Sequence, residues 1–268
     1  MNDEYKELSY YKFKKLQIMI MILGCNFTLL YAMTRKVGEN VNFYIVILLL
    51  LVPSVIVAVM SFMRRMIILG LSEKNLDFKT VYDLEHRKDK GRHKVYNLQL
   101  LANCHFISGD FEELISCTQN ILSSSNVRDA CYARHLQIIT YFIIGRYDEA
   151  LDLIKVQEEA FHKIKKKSAE TYNIYYTFIK LFLSGEYADA VEELKKFFSD
   201  KNFDALNSRK IIVYYLMRSA YIKLNDRKNV QLCINEIIKC DPYCNSFFRK
   251  TVESDRFGEG SSSAEDTV

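Results

Sequence analysis

A chain of 268 residues is long enough for one or two domains, and it contains only two prolines. That is far below an average of roughly 5% and suits long helices, whose interiors proline breaks. A net charge of +4 is too small on its own to argue for nucleic-acid binding, and seven cysteines without a C-x-x-C pair fit a reducing compartment better than a disulfide framework.

Residues 1–15 form a basic tail carrying Lys6, Lys12, Lys14 and Lys15. Two apolar stretches follow, 16–34 and 43–63, and neither contains a charge. A helix of about 20 apolar residues crosses the hydrocarbon core of a bilayer. No small-residue cleavage site follows the first stretch, so it is expected to remain as an anchor and not to be removed as a signal peptide. Pro53 falls inside the second, where a membrane helix tolerates it if neighbours satisfy the freed carbonyl. The connection 35–42 is short, which predicts a transmembrane hairpin over 16–63 with both ends on one side. Basic residues decide the side: Arg35 and Lys36 in the connection are outnumbered by the tail lysines and by Arg64, Arg65, Lys74 and Lys79 after the second stretch. The positive-inside rule then predicts both termini and the body in the cytoplasm, and the expected membrane is the plasma membrane. Residues 64–94 are expected to be a juxtamembrane segment, whose basic cluster from Arg87 to Lys94 reads as a solvated face.

From residue 95 to 253 the chain repeats a frame. The segments are Gly109-Asp110-Phe111, Gly145-Arg146-Tyr147 and Gly185-Glu186-Tyr187, with a degraded copy at Asn225-Asp226-Arg227. The glycines lie 36 and 40 residues apart, and Asn225 follows 40 later. Periods of this size mark repeat arrays. Around each glycine, apolar residues recur at helical spacing. Tyr172, Tyr175, Tyr176, Ile179 and Phe182 precede Gly185, and Tyr187, Ala190, Val191 and Leu194 follow it. The glycine ends one helix in the left-handed cap conformation. Acidic residues then open the next helix, favourable against its positive end. The fold class predicted is all-α: an N-terminal membrane hairpin, then a solenoid of about four helix pairs. Residues 254–268 are polar and expected to be disordered.

These residues give the body a resemblance to tetratricopeptide (TPR) repeats. The first repeat supplies Ala102, Gly109 and Phe111; the second Tyr141, Gly145, Tyr147 and Ala150; the third Gly185, Tyr187 and Ala190; the fourth Tyr221 and the closing Asp241-Pro242. His105 and Leu181 stand where that family has a tyrosine, and the spacings exceed its 34 residues. The resemblance implies a concave groove lined by the first helix of each pair. By position, that groove takes Asn103 and Phe106, then His135, Ile139 and Phe142, then Tyr172, Tyr175, Ile179 and Phe182, and finally Tyr215 and Ile222. The lysines of the family's carboxylate clamp are replaced by Gln99 and Tyr132, so an aromatic, apolar groove for a peptide or amphipathic helix is expected. For any single aromatic, packing between neighbouring repeats is the competing reading.

No P-loop, dinucleotide fingerprint, nucleophile elbow or zinc-protease motif occurs. Cys131 and His135 share a helix face and, with Cys104 and His105, imitate a metal site; buried packing is the simpler account. The chain is therefore read as a non-enzyme with no cofactor, metal, nucleic acid or small-molecule substrate. It is expected to be a membrane-anchored adaptor or scaffold whose TPR-like repeats bind a protein or peptide partner. Two alternatives stand beside this: an accessory subunit of a transporter or secretion complex recognised through its hairpin, and an extracytoplasmic chaperone-like protein of inverted topology.

Overall fold

The computed structural model describes residues 20, 55–63, 66–68, 70–86, 95–123, 126–199 and 206–258. Among them all regular structure is helical and no strand occurs. The chain divides into two compact units, Met1–Gly70 and Leu71–Val268.

One helix among the described residues, α1 (Val55–Ser72), is long and apolar enough to cross a membrane. Val55, Ile56, Val59, Phe62, Met63 and Met66 are exposed on it. A contiguous apolar surface of this kind is unusual in contact with water and suits lipid or a partner. The first expected span, 16–34, apart from Ile20, and most of the second lie outside the described residues. The end of α1 runs into a π-helical turn, Gly70–Lys74.

The second unit begins earlier than the repeat frame suggests. Leu71 is almost wholly buried. Helix α2 (Phe78–His86) is capped by Asp77, whose Oδ1 accepts from the Thr80 N–H at 3.1 Å. Its Phe78 and Val81 are buried, and it packs on α3 (Val95–Ser108). The stretch read as a juxtamembrane segment thus contributes to the core.

Four pairs of helices follow: α3 with α4 (Phe111–Leu122), α5 (Val127–Ile143) with α6 (Tyr147–Glu159), α7 (Lys166–Ser184) with α8 (Tyr187–Lys195), and α9 (Asn207–Lys223) with α10 (Arg227–Cys240). Each pair turns at the frame residue. Gly109, Gly145, Gly185 and Asn225 have φ of +88°, +80°, +87° and +55°. The carbonyls of His105, Tyr141, Leu181 and Tyr221 accept from the N–H groups of Asp110, Arg146, Glu186 and Asp226 at 2.8–3.0 Å. This satisfies carbonyls that a helix end would otherwise leave unpaired. Glu112, Glu113, Asp148, Glu149 and Asp189 occupy first turns, and Asp226 caps α10 by accepting from Asn229 N–H at 3.1 Å.

The frame extends into the core. Ala102, Ile138, Phe178 and Arg218 hold equivalent places before the turn and are all buried. After it, Thr118, Ile154, Leu194 and Ile234 are buried together, as are Ile121, Gln157, Phe197 and Ile237. Gln157 stands where the other pairs have an apolar residue, and its Nε2 donates to the Cys131 carbonyl at 3.0 Å. Helix α5 contacts both α3 and α7, so the first helices of successive pairs lie side by side.

A last helix, α11 (Phe247–Gly258), crosses back from α9 to α3. Phe248 is fully buried, its ring centroid 5.6 Å from Phe106 and 5.1 Å from Tyr215. Phe247 meets Phe111 edge-on at 5.1 Å. Buried Asp241 starts this helix by accepting from the N–H groups of Asn245 and Ser246 and from Ser246 Oγ. Its backbone carbonyl accepts from Arg249. The Asn245 amide donates to the Asn75 carbonyl at 2.8 Å. Pro242 sits in the turn between α10 and α11. The segment expected to be disordered from Ser254 instead continues α11 as far as Gly258.

Candidate functional site

The first helices of the four pairs, with α2, surround a cavity of about 280 Å³. Its lining comes from Phe78, then Asn103, Phe106 and Ile107 of α3, Tyr132, His135 and Leu136 of α5, and Thr171, Tyr172 and Tyr175 of α7. Leu206, Ser208, Arg209 and Ile212, on and just before α9, complete it. Tyr132 donates its hydroxyl proton to Asn103 Oδ1. The Gln99 amide donates to Asp129 Oδ1 at 2.8 Å, so two polar contacts join α3 to α5 beside the cavity.

His135 is the centre of an aromatic cluster. Its ring stacks on Tyr172 with centroids 4.3 Å apart and planes at 25°, and it lies 5.2 Å from Tyr175. Tyr175 in turn packs on Phe197 at 4.8 Å, and the Arg209 guanidinium sits 5.9 Å from the Phe197 centroid. The His135 Nδ1 is buried without a hydrogen-bond partner. Burial, and then the neighbouring Arg209 charge, push the imidazole down to about 3, so it is neutral at physiological pH. Burial pushes the Tyr172 phenol up to about 12 and raises Tyr175 and Tyr176 as well. Among the described lining residues Arg209 is the one charged side chain, and there is no carboxylate.

This neutral histidine makes stability depend on pH. Folded His135 resists protonation down to about pH 3, whereas an unfolded histidine takes up its proton near pH 6.5. Between those values the unfolded chain binds more protons. The contribution is therefore whole above pH 6.5 and declines as pH falls toward 3. His135→Phe keeps an aromatic ring and removes the titration. Going from pH 7 to 4.5, the wild type should lose about 2–3 kcal/mol more than this variant. Urea unfolding at the two pH values measures it, and equal losses would refute a neutral, buried imidazole.

The expected groove residues divide among several environments. Asn103, Phe106, His135, Tyr172 and Tyr175 converge on the cavity. Ile139, Phe142 and Ile179 are buried but outside its lining. Phe142 meets Phe182 and Tyr147, and Phe182 meets Tyr187, so these rings knit pairs together. Tyr215 is covered by Phe247 and Phe248 of α11, and Ile222 is exposed away from the cavity. Arg209, Thr171 and Ser208 escaped the sequence reading. Arg209 stands one turn before Ile212 in the frame, and that i, i+3 spacing was the available signal.

The other candidate chemistry has a structural account. Cys131 is fully buried. Among the described residues no group of three or more His, Cys, Asp and Glu side chains is placed to hold a metal ion. Burial pushes the thiols of Cys104, Cys117 and Cys240 up to about 11 and Cys233 to about 12, which leaves them poor nucleophiles. Compared with family models, with characterised proteins and with solved structures, the chain matches none.

Proposed function

We propose that the chain is a membrane-anchored adaptor. In this reading a hairpin of two membrane helices holds a TPR-like solenoid of about four helix pairs on the cytoplasmic side, where it binds a protein or peptide partner near the bilayer. The observation that carries the reading is the recurrence of one left-handed turn at Gly109, Gly145, Gly185 and Asn225, each joining two packed helices. Stacked hairpins of this kind present extended surfaces and are used mainly to hold other molecules. The exposed apolar face of α1 supports the anchor. Free thiols at Cys104, Cys117, Cys131, Cys233, Cys240 and Cys244 suit a reducing compartment. Tethering would raise the local concentration of a partner without any new contact.

Three measurements test this. The full chain should sediment with membranes and need detergent for extraction; recovery in the aqueous phase would sink the anchor. Cys117 and Cys240 are buried and unsuited to reporting topology, so Lys155→Cys, at an exposed site on α6, serves instead. An impermeant thiol reagent should label it only after lysis, and rapid labelling in intact cells would reverse the orientation. Crosslinking in native membranes followed by mass spectrometry should return one protein reproducibly at the body, and recovery of none would count against the adaptor.

A further inference from the structure

We propose that the cavity lined by the first helices of the four pairs is a binding site for a small aromatic carboxylate, its acid group held at Arg209 and its ring against the Tyr172–His135 stack. The inference rests on reading the four pairs as a binding body, but not on the membrane orientation or on the adaptor's protein partner. It also departs from the sequence expectation that no small molecule is bound.

Three features argue for this chemistry. The first is size and shape. At about 280 Å³ the cavity is near the lower end of small-ligand sites, which run from about 300 to 1,000 Å³. A partner helix laid across α3, α5, α7 and α9 would meet α11, which already joins α9 to α3. A compact molecule avoids that obstacle. The second is charge. Arg209 is the one ionised group among the described lining residues. Its position favours an anion, and a guanidinium has five N–H donors in a planar fork, enough to serve a ligand carboxylate as well as a protein neighbour. The third is the division of the wall. Tyr172 and His135 stack on each other and both line the cavity, and an aromatic wall suits a further ring packed offset or edge-on. Neutral hydroxyls of Thr171 and Ser208 lie in the same lining as Arg209.

The absence of tryptophan from the chain gives a direct measurement, because an indole ligand then fluoresces without interference from protein indoles. Indole-3-acetate is titrated with the full chain in detergent micelles and compared with indole-3-acetamide, which has the same ring and no charge. Saturable binding is expected, at least tenfold tighter for the acid. Arg209→Gln should abolish that preference while leaving the amide unchanged, and Arg209→Lys should keep part of it. Circular dichroism checks that each variant is folded, and if Arg209→Gln is not, the lysine variant and the acid–amide comparison still decide. N-acetyl-leucyl-tryptophan and its amide distinguish the source. Acid preference in either pair supports the site, and the tighter acid tells whether a free metabolite-sized acid or a peptide terminus is the natural ligand. Equal binding of acid and amide, no saturable binding, or an acid preference that survives Arg209→Gln would overturn the proposal. None of these outcomes touches the crosslinking result, so the adaptor reading fails or survives separately.

Discussion

Phe248→Ala is expected to lower the unfolding free energy by about 3–5 kcal/mol, the range for truncating a buried phenylalanine. The residue is fully buried, and its ring touches Phe106 on α3 and Tyr215 on α9, which belong to the first and fourth pairs. Removing it leaves a cavity between elements more than 100 residues apart in the chain. Neither backbone can close that gap without moving the Asp241–Ser246–Arg249 network that starts α11. Urea unfolding of the detergent-solubilised chain measures the loss. Tyr243→Ala, five residues earlier and 64% exposed, is the control and should change stability by less than about 0.5 kcal/mol. Hydrogen exchange in α3 should quicken in the Phe248 variant, since its partner is gone. A loss no larger than the control's would mean that α11 is not part of the folded body.

The second large effect separates glycines that look alike in the sequence. Gly109, Gly145 and Gly185 all have positive φ, so an alanine at any of them incurs a conformational cost of about 1–2 kcal/mol. At Gly145 and Gly185 a Cβ would meet nothing within 4 Å. At Gly109 it would lie 2.7 Å from Phe247 Cδ2 and 2.8 Å from its Cβ, so overpacking adds about 1–3 kcal/mol. Gly109→Ala should therefore cost roughly twice what Gly145→Ala does. A double-mutant cycle isolates the cause: the cost of Gly109→Ala should shrink in a Phe247→Ala background, whereas Gly145→Ala should be indifferent to it. Equal costs at the two glycines would show that α11 does not lie against the first turn.

The turns were legible because only glycine and, less readily, asparagine take the left-handed conformation routinely. When such residues recur at a near-constant interval and carboxylates follow, one helix is ending and the next is starting. The buried positions at Ala150 and Ala190 followed from the same frame. The division between groove and core was not legible. Helix α5 buries residues on several sides, among them Cys131, Leu136, Ile138, Ile139 and Phe142, so helical spacing alone does not say which side faces a cavity. Helices α2 and α11 were missed for a different reason. Their polar flanks resemble linkers, and the contacts that order them, Phe78 beside the cavity and Phe248 on Phe106, are remote in sequence. Local pattern carries no trace of such pairings.

In an ordinary stack of repeats each unit feels only its neighbours, so ends fray and the array melts in stages. Here the amide of Asn245 clasps the carbonyl of Asn75 across 170 residues, and the two aromatic rings after it lock onto the first hairpin. The body is in effect a bracelet with a fastened catch. Loosening any link should strain the fastening and, through it, every other link, so melting should be all-or-none. By the same token, a single backbone cut at the exposed turn near His162 and Lys163 should leave the bracelet shut.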